Sequence, residues 1–242
     1  MKTPKYRFQT LDMARGAAVL LMVAFHFCYN LEYFGLVEIN IKEAAFWISF
    51  RGFIVSSFVF IAGISLYLSS TKRTDFGSHL KKQKWLAICA LLVSLATYPI
   101  FPESWIYFGV LHFILTARIL CFALTGFFYS NLILGLGFIW AGMTIENELF
   151  NPKWINWLGF TTHKPFTEDY VPLFPWLGVF VLGMFLGRFL LSQPGRPELK
   201  NKHYSGCAAG ILTLSGQNSL LIYIVHQPLL MGMIYIFISV FA

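Results

Sequence analysis

The sequence predicts an all-α fold: a polytopic integral membrane helix bundle of about seven transmembrane helices, with the N-terminus in the cytoplasm. Three observations predict it. Hydrophobic residues fill 57% of the 242 positions and charged residues 12%, against about 25% charged in ordinary soluble domains. Mean hydropathy is +0.65. The apolar residues gather into runs close to the ~20 residues a helix needs to cross a bilayer. A soluble chain holding 26 Phe, 11 Tyr and 7 Trp would expose apolar patches to water at many places. The same composition excludes disorder. It also excludes a soluble nucleic-acid binder, despite a formal net charge of +7.

The first apolar stretch, about 11–31, reads as a span and not as a signal peptide, because it lacks a small-residue cleavage site and holds Asp12, Arg15 and His26. The second, about 46–68, carries Arg51 near one end. The third covers about 85–101, and the fourth, about 106–128, contains His112 and Arg118. The fifth, about 131–145, is short and includes Gly135, Gly137 and Gly142. The sixth, about 173–191, has Gly183 and Gly187 at the G-x-x-x-G spacing that lets helices pack closely. The last, about 211–241, is too long for one span; it is expected to open with an interfacial turn around Ser215 to Gln217 and to cross from about Ser219. These runs exceed the roughly 10-residue alternating segments of a β-barrel.

Basic residues set the orientation. Lys2, Lys5 and Arg7, then Lys72, Arg73, Lys81, Lys82 and Lys84, then Arg188, Arg196, Lys200 and Lys202 fall on one side, placed in the cytoplasm by the positive-inside rule. The opposite loops hold only Lys42, Lys153 and Lys164 among basic residues, and most of the acids. The positive charge is therefore an anchoring feature at the membrane surface. Cys28, Cys89, Cys121 and Cys207 form no C-x-x-C pair and read as small apolar residues in packed helices.

An ion inside the bilayer costs at least about 2.5–3.5 kcal/mol on insertion scales, so it needs a partner or a wet cavity. Asp12, Arg15 and His26 share one face of the first helix: His26 lies eleven positions after Arg15, about three turns and roughly 16 Å. Asp12 and Arg15 form either a simple i,i+3 pair at the headgroups or the start of a polar stripe lining a cavity. Gly216, Ser219, Tyr223 and His226 recur on one face of the last helix. Pro228 lacks an amide hydrogen and would open the backbone near Ile224. Arg51 reads either as a snorkelling residue or as part of the site. Arg118 lies too deep to snorkel and is expected to meet an acid such as Asp12 or a ligand phosphate. The segment 146–172 is a long outer loop rich in Trp and Tyr, placed to cover the site, and Asp169 leads from it into the sixth span.

Together these pieces resemble a known family. RFQTLDMARGAAVLLMVAFHF from Arg7, FRGFIVSSFVFIAGISL from Phe50, GVLH at Gly109 to His112, DYVPLFPWLGVFVLG from Asp169 and GQNSLLIYIVHQPLL from Gly216 are similar, in order, to bacterial members of the membrane family that includes the catalytic domain of heparan-alpha-glucosaminide N-acetyltransferase. The resemblance to the acyltransferase-3 family is more distant; its pattern of an Arg, ten residues and a His is met by Arg15 and His26. It implies a single membrane domain over 1–242, in a bacterial inner membrane, that transfers an acyl group from acetyl-CoA or another acyl-CoA to an amino sugar or hydroxyl of a cell-envelope glycan or lipid. The chain departs from the animal enzyme in being shorter and in having no histidine in its first outer loop, Glu32 to Ala45, so His26 is the better candidate for the active imidazole.

Acyl transfer from a thioester needs a base for the acceptor and donors for the developing oxyanion. His26 is the expected general base, with His226 or His112 as a second base or orienter. Tyr223, Arg51 or the amide of Gln227 would stabilise the oxyanion, and Asp169 would position the acceptor. Arg15 and Arg118, with Asp12, would meet the phosphates of CoA. The expected partners are acyl-CoA, a glycan or lipid-linked sugar acceptor and membrane lipid, with a homodimer as the candidate assembly and no nucleic acid or metal. The alternative is a transporter or flippase for a glycan, lipid or small solute, which the buried charges and Pro228 would also suit.

Overall fold

The computed structural model describes residues 8–70, 75–192 and 204–241. Regular structure among them is helical: α1 (Gln9–Tyr33), α2 (Ala45–Ser70), α3 (Phe76–Lys82), α4 (Lys84–Ile100), α5 (Val110–Leu120), α6 (Tyr129–Thr144), α7 (Leu173–Ser192), α8 (Cys207–Gln217) and α9 (Ser219–Phe241), with short 3-10 turns at Cys121–Gly126, Glu148–Phe150 and Asn156–Leu158. Among the described residues four helices, α1, α2, α7 and α9, are long and apolar enough to cross a membrane, and α3 with α4 makes a fifth if a 45° bend counts as one span. The expectation of seven is therefore met only in part. The fourth apolar stretch forms the helical segment Val110–Gly126, whose last six residues are 3-10, and the fifth forms α6, of 16 residues; both are shorter than those four helices. Of the basic residues that set the expected orientation, Lys2, Lys5, Arg7, Lys72, Arg73, Arg196, Lys200 and Lys202 lie outside the described residues.

The chain forms two compact units, one from Met1–Phe58 with Pro194–Ala242 and one from Val59–Gln193. In the first, α1 packs against α8 and α9. Two glycines set the approach. A Cβ on Gly216 would fall on the Asp12 carbonyl oxygen, and a Cβ on Gly16 would fall on the Leu212 carbonyl oxygen, so the two backbones touch where no side chain intervenes. Gln9 extends the contact: its Nε2 donates to Tyr204 O at 2.9 Å, and its Oε1 accepts from Tyr204 N at 2.8 Å. Beyond the glycines, Val19, Met22, Phe25, Ile41 and Ile54 form a buried cluster against which Phe50, Ile222 and Tyr223 pack. Gly35, at φ 72°, ends α1 in the left-handed region, and the Leu36 amide closes back on Leu31 O at 2.9 Å.

The last apolar stretch divides close to where the sequence suggests, with a different partner before the break. Residues Cys207–Gln217 form a helix instead of a turn, and the break falls at Asn218. Asn218 Nδ2 donates to Leu214 O at 2.8 Å, closing α8, while its own carbonyl accepts from Ile222 N at 2.9 Å and starts α9. Pro228 sits inside α9, which continues through it to Phe241.

In the second unit, α6 packs on α7 and α5 contacts both α4 and α7. The small residues at the G-x-x-x-G spacing do the packing work expected of them: a Cβ on Gly183 would fall on Phe60 O, and Gly187 lies against Ile64. Gly63 answers from α2, its position closed by Phe180 O.

Because a backbone carbonyl cannot move aside as a side-chain tip can, Gly216→Ala is expected to lower stability in detergent by about 1–3 kcal/mol. Gly137→Ala, where nothing stands within 4 Å, should leave the unfolding midpoint unchanged or raise it, because alanine favours a helix over glycine. Equal midpoints for the two variants would show that the α1–α8 contact relaxes freely.

Candidate active site

The polar faces read from the sequence meet inside the first unit. His26 of α1 and His226 of α9 lie ring to ring, with centroids 4.9 Å apart and planes at 57°. His226 Nδ1 is 2.7 Å from the Tyr223 carbonyl oxygen. A carbonyl only accepts, so the nitrogen carries the proton and donates, which leaves the Nε2 lone pair as the acceptor of a neutral ring. That Nε2 is buried without a hydrogen-bond partner, and so is His26 Nδ1. Leaving a buried polar atom unpaired costs about 1–3 kcal/mol, and native structures hold few such atoms.

Aromatic rings wall the pair. Phe25 stands edge-on to His26 at 5.6 Å, Tyr29 lies 6.3 Å from it, and Tyr223 lies 5.8 Å from His226. Tyr29 and Tyr33 stack at 6.5 Å, and both line a pocket of about 150 Å³ completed by Glu32, Ile41 and Lys42. The loop after α1 is folded over this pocket by the Ile41 amide, which donates to Glu32 Oε2 at 2.8 Å, and Lys42 Nζ sits 5.8 Å from the centre of the Tyr29 ring. A path of aromatic side chains thus leads from the imidazoles to a pocket with one acid and one base.

At the other end of α1, Asp12 and Arg15 form the i,i+3 pair that their spacing allows, Nη1 to Oδ1 at 3.0 Å. Arg15 also reaches Gly216 O at 3.5 Å, and Asp12 is buried, 4% exposed. The shared face of Asp12, Arg15 and His26 is therefore the face turned to α8 and α9. Arg51 is exposed on the part of α2 that belongs to this unit. The carboxamide of Gln227 is committed to Asn30: Gln227 Nε2 donates to Asn30 Oδ1 at 2.9 Å, and Asn30 Nδ2 to Gln227 Oε1 at 3.4 Å. Asn30, fully buried, is absent from the sequence-derived set. Its offset of four from His26, one turn along the same face, was the available signal. The pocket residues Glu32, Tyr33, Ile41 and Lys42 offered none, since they meet only through the fold of the loop.

The remaining candidates lie in the second unit, each with a local partner. His112 Nδ1 accepts from the Gly109 amide at 3.3 Å, so its Nε2 carries the hydrogen and donates to Ser94 Oγ at 3.0 Å. Ser94 in turn donates to Ile106 O at 2.7 Å. Both ring nitrogens are thus used in holding α4 to the start of α5. Asp169 Oδ2 accepts from the Val110 amide at 2.8 Å, a carboxylate at a helix N-terminus. Arg118 Nε donates to Gln83 Oε1 at 2.7 Å, and Gln83 Nε2 to His79 O at 3.0 Å. His79, stacked on Phe122 with centroids 4.4 Å apart, meets Arg118 O at 2.9 Å. In the segment before α7, Tyr170 donates to Asn156 O at 2.6 Å and Tyr107 to Asn156 Oδ1 at 3.1 Å, while Ser104 donates to Glu168 Oε1 at 2.7 Å. The loop is pinned to the segment before α5. Burial pushes the Tyr170 phenol up to about 12. Among the described residues no group of three or more His, Cys, Asp or Glu side chains is placed to hold a metal ion.

Two outcomes are expected here. Asp169→Ala should lower stability by about 1 kcal/mol, as loss of a helix cap does, and Asp169→Asn by less, both read from thermal unfolding in detergent. The Tyr170 phenol is held neutral by burial, so its contribution to stability is complete below the ordinary tyrosine value near 10 and is lost as pH rises through about 12. A difference titration of the wild type against Tyr170→Phe at the tyrosinate absorbance should show no ionisation of this residue near pH 10.

A family model described as the catalytic domain of heparan-alpha-glucosaminide N-acetyltransferase matches residues 7–228. No curated protein matches the chain, and no solved structure does.

Proposed function

We propose, from the premise that the chain belongs to the family of the heparan-alpha-glucosaminide N-acetyltransferase catalytic domain, that it moves an acetyl or other acyl group from acyl-CoA to an amino sugar or hydroxyl of a cell-envelope glycan or lipid. Family membership supports an acyltransferase-type catalytic domain, and the long apolar helices make it a membrane one. The observation that carries the finer reading is the buried His26–His226 pair, with one unpartnered nitrogen on each ring.

The chemistry follows from those nitrogens. An imidazole lone pair takes the proton from the acceptor N–H or O–H as that atom attacks the thioester carbonyl carbon. The tetrahedral intermediate carries an oxyanion, for which Tyr223 beside His226 is the candidate donor. Collapse breaks the C–S bond, and the imidazolium returns the proton to the leaving thiolate. His26 serves as the base, and His226, oriented by the Tyr223 carbonyl, serves as the second imidazole. His112 is committed at both nitrogens and suits that role less well. Arg15 with Asp12, at the basic end of α1, suits the phosphates of CoA arriving from the cytoplasm. The pocket of Tyr29, Tyr33 and Lys42 suits the acceptor from the far side. Seven crossings and an N-terminus in the cytoplasm complete the reading on the strength of the apolar runs and the basic-residue bias, and a place in the bacterial inner membrane on the strength of the resemblance to bacterial members of the family.

His26→Ala and His226→Ala are each expected to remain folded and to lose roughly 10²–10⁴-fold in transfer of label from acyl-CoA to a glycan or lipid fraction, the span of general-base effects. Undiminished transfer by both variants would remove the pair from the mechanism. Mass spectrometry of surface glycans and lipids from cells with and without the protein should reveal the acceptor as an acetyl increment.

A further inference from the structure

The two imidazoles sit between two fixed points. At one end of α1 the backbone rests on α8 through Gly16 and Gly216, where a Cβ would fall on a carbonyl oxygen of the neighbouring helix. At the other end the carboxamides of Asn30 and Gln227 exchange hydrogen bonds in both directions, at 2.9 and 3.4 Å. Asn30 lies four residues beyond His26 on the same helix, about 6 Å along the axis, and Gln227 directly follows His226 in α9. From Gly16 to Asn30 is roughly 21 Å of helix. Over most of that length the contact is made by apolar side chains such as Val19, Met22 and Phe25, and apolar packing by itself permits small slides and rotations. A reciprocal amide pair does not. Each carboxamide has its donor and its acceptor matched to the other, and a slide of one helix against the other would leave four polar groups short of partners inside the helix contact.

We propose that Asn30 and Gln227 are positioning residues: their amide pair fixes the rotation and register of α1 against α9 and thereby holds His26 and His226 at the separation that the acyl-transfer reading requires. This inference rests on that reading for its consequence in catalysis, and on the geometry alone for its consequence in the imidazoles. Neither residue touches the reacting atoms. The side chain of Gln227, a candidate for the oxyanion from the sequence, is occupied in holding the helices. The pair also explains a polar residue that is fully buried one turn from the site, where an apolar side chain would cost less to bury.

The test combines ¹⁵N-histidine spectra of the purified protein in detergent with acyl-CoA turnover. Asn30→Leu and Gln227→Met each remove the pair. The double variant Asn30→Gln with Gln227→Asn keeps two carboxamides facing each other with the same number of side-chain carbons. In the wild type the His226 ring should give the signature of a single tautomer, with the proton on Nδ1. In each single variant the resonances of His26 and His226 should shift or broaden, and kcat should fall tenfold or more, with KM for acyl-CoA unchanged within about twofold. The exchanged double variant should regain at least a third of wild-type kcat together with the wild-type imidazole signature. If Asn30→Leu fails to fold, Gln227→Met, which leaves the buried Asn30 in place, carries the comparison. Wild-type spectra and wild-type kcat in a folded single variant would overturn the proposal, as would an exchanged pair no better than the single variants. A wild-type protein without acyl transfer, whose histidine spectra still respond to Asn30 and Gln227, would instead reject the functional reading and leave the positioning role standing.

Discussion

Two glycines decide how close the first helix of this protein comes to the two helices that flank Asn218. Where Gly16 and Gly216 meet the opposing backbone, no side chain can be inserted without pushing a carbonyl aside, and carbonyls in an apolar surrounding are held by their own helical bonds. That approach brings the polar face of α1 onto α8 and α9. Arg15, paired with Asp12 on its own helix, then reaches across to the Gly216 carbonyl. His26 lies against His226, and Asn30 reaches Gln227. Each of these contacts needs a particular rotation of α1, and one rotation satisfies all of them.

The polar groups along that face fall into two classes with different energetics. Asp12 with Arg15, and Asn30 with Gln227, are matched donors to acceptors, so their burial is offset within the protein. The two imidazoles each keep one buried nitrogen unpaired. A bundle selected for stability alone would have filled those positions with apolar side chains or partners. The contrast within a few turns of helix separates groups that hold the architecture from groups left available for proton transfer. In the second unit His112, Asp169 and Tyr170 are engaged in closing a helix start and a loop, and the unpartnered buried atom there, Asn131 Oδ1, belongs to a carboxamide whose nitrogen holds the Leu124 and Phe127 carbonyls. Polar residues of the same types serve packing there.

Much of the first unit was legible in the residues themselves. The offset of eleven between Arg15 and His26, and the 4, 3 spacing of Ser219, Tyr223 and His226, are properties of a helix, which fixes which residues share a face before any partner is known; Gly216, expected on that same face, falls instead in α8, across the break at Asn218. The break near Ser219 was legible because a run of that length exceeds a bilayer. The helical turns before it were not, since a short apolar segment reads equally as a turn at the interface. Nor was the shortening of the fourth and fifth stretches, because hydropathy counts apolar residues and not where a helix ends. His112 shows the limit of residue type as a guide: its two hydrogen bonds depend on Gly109 and Ser94, the latter on a different helix.

The sequence by itself determined that the chain is helical and built for a membrane, which faces of its first and last helices are polar, and which family it belongs to. These follow from composition, periodicity and short motifs, all local along the chain. Only the tertiary structure decided which polar face meets which. It paired His26 with His226, gave Asn30 its partner, folded the loop after α1 onto Tyr29 and tied Arg118 to Gln83. Those outcomes depend on distances between residues far apart in the chain, and those distances are set by how closely two backbones can approach, a quantity that no single helix carries in its own residues.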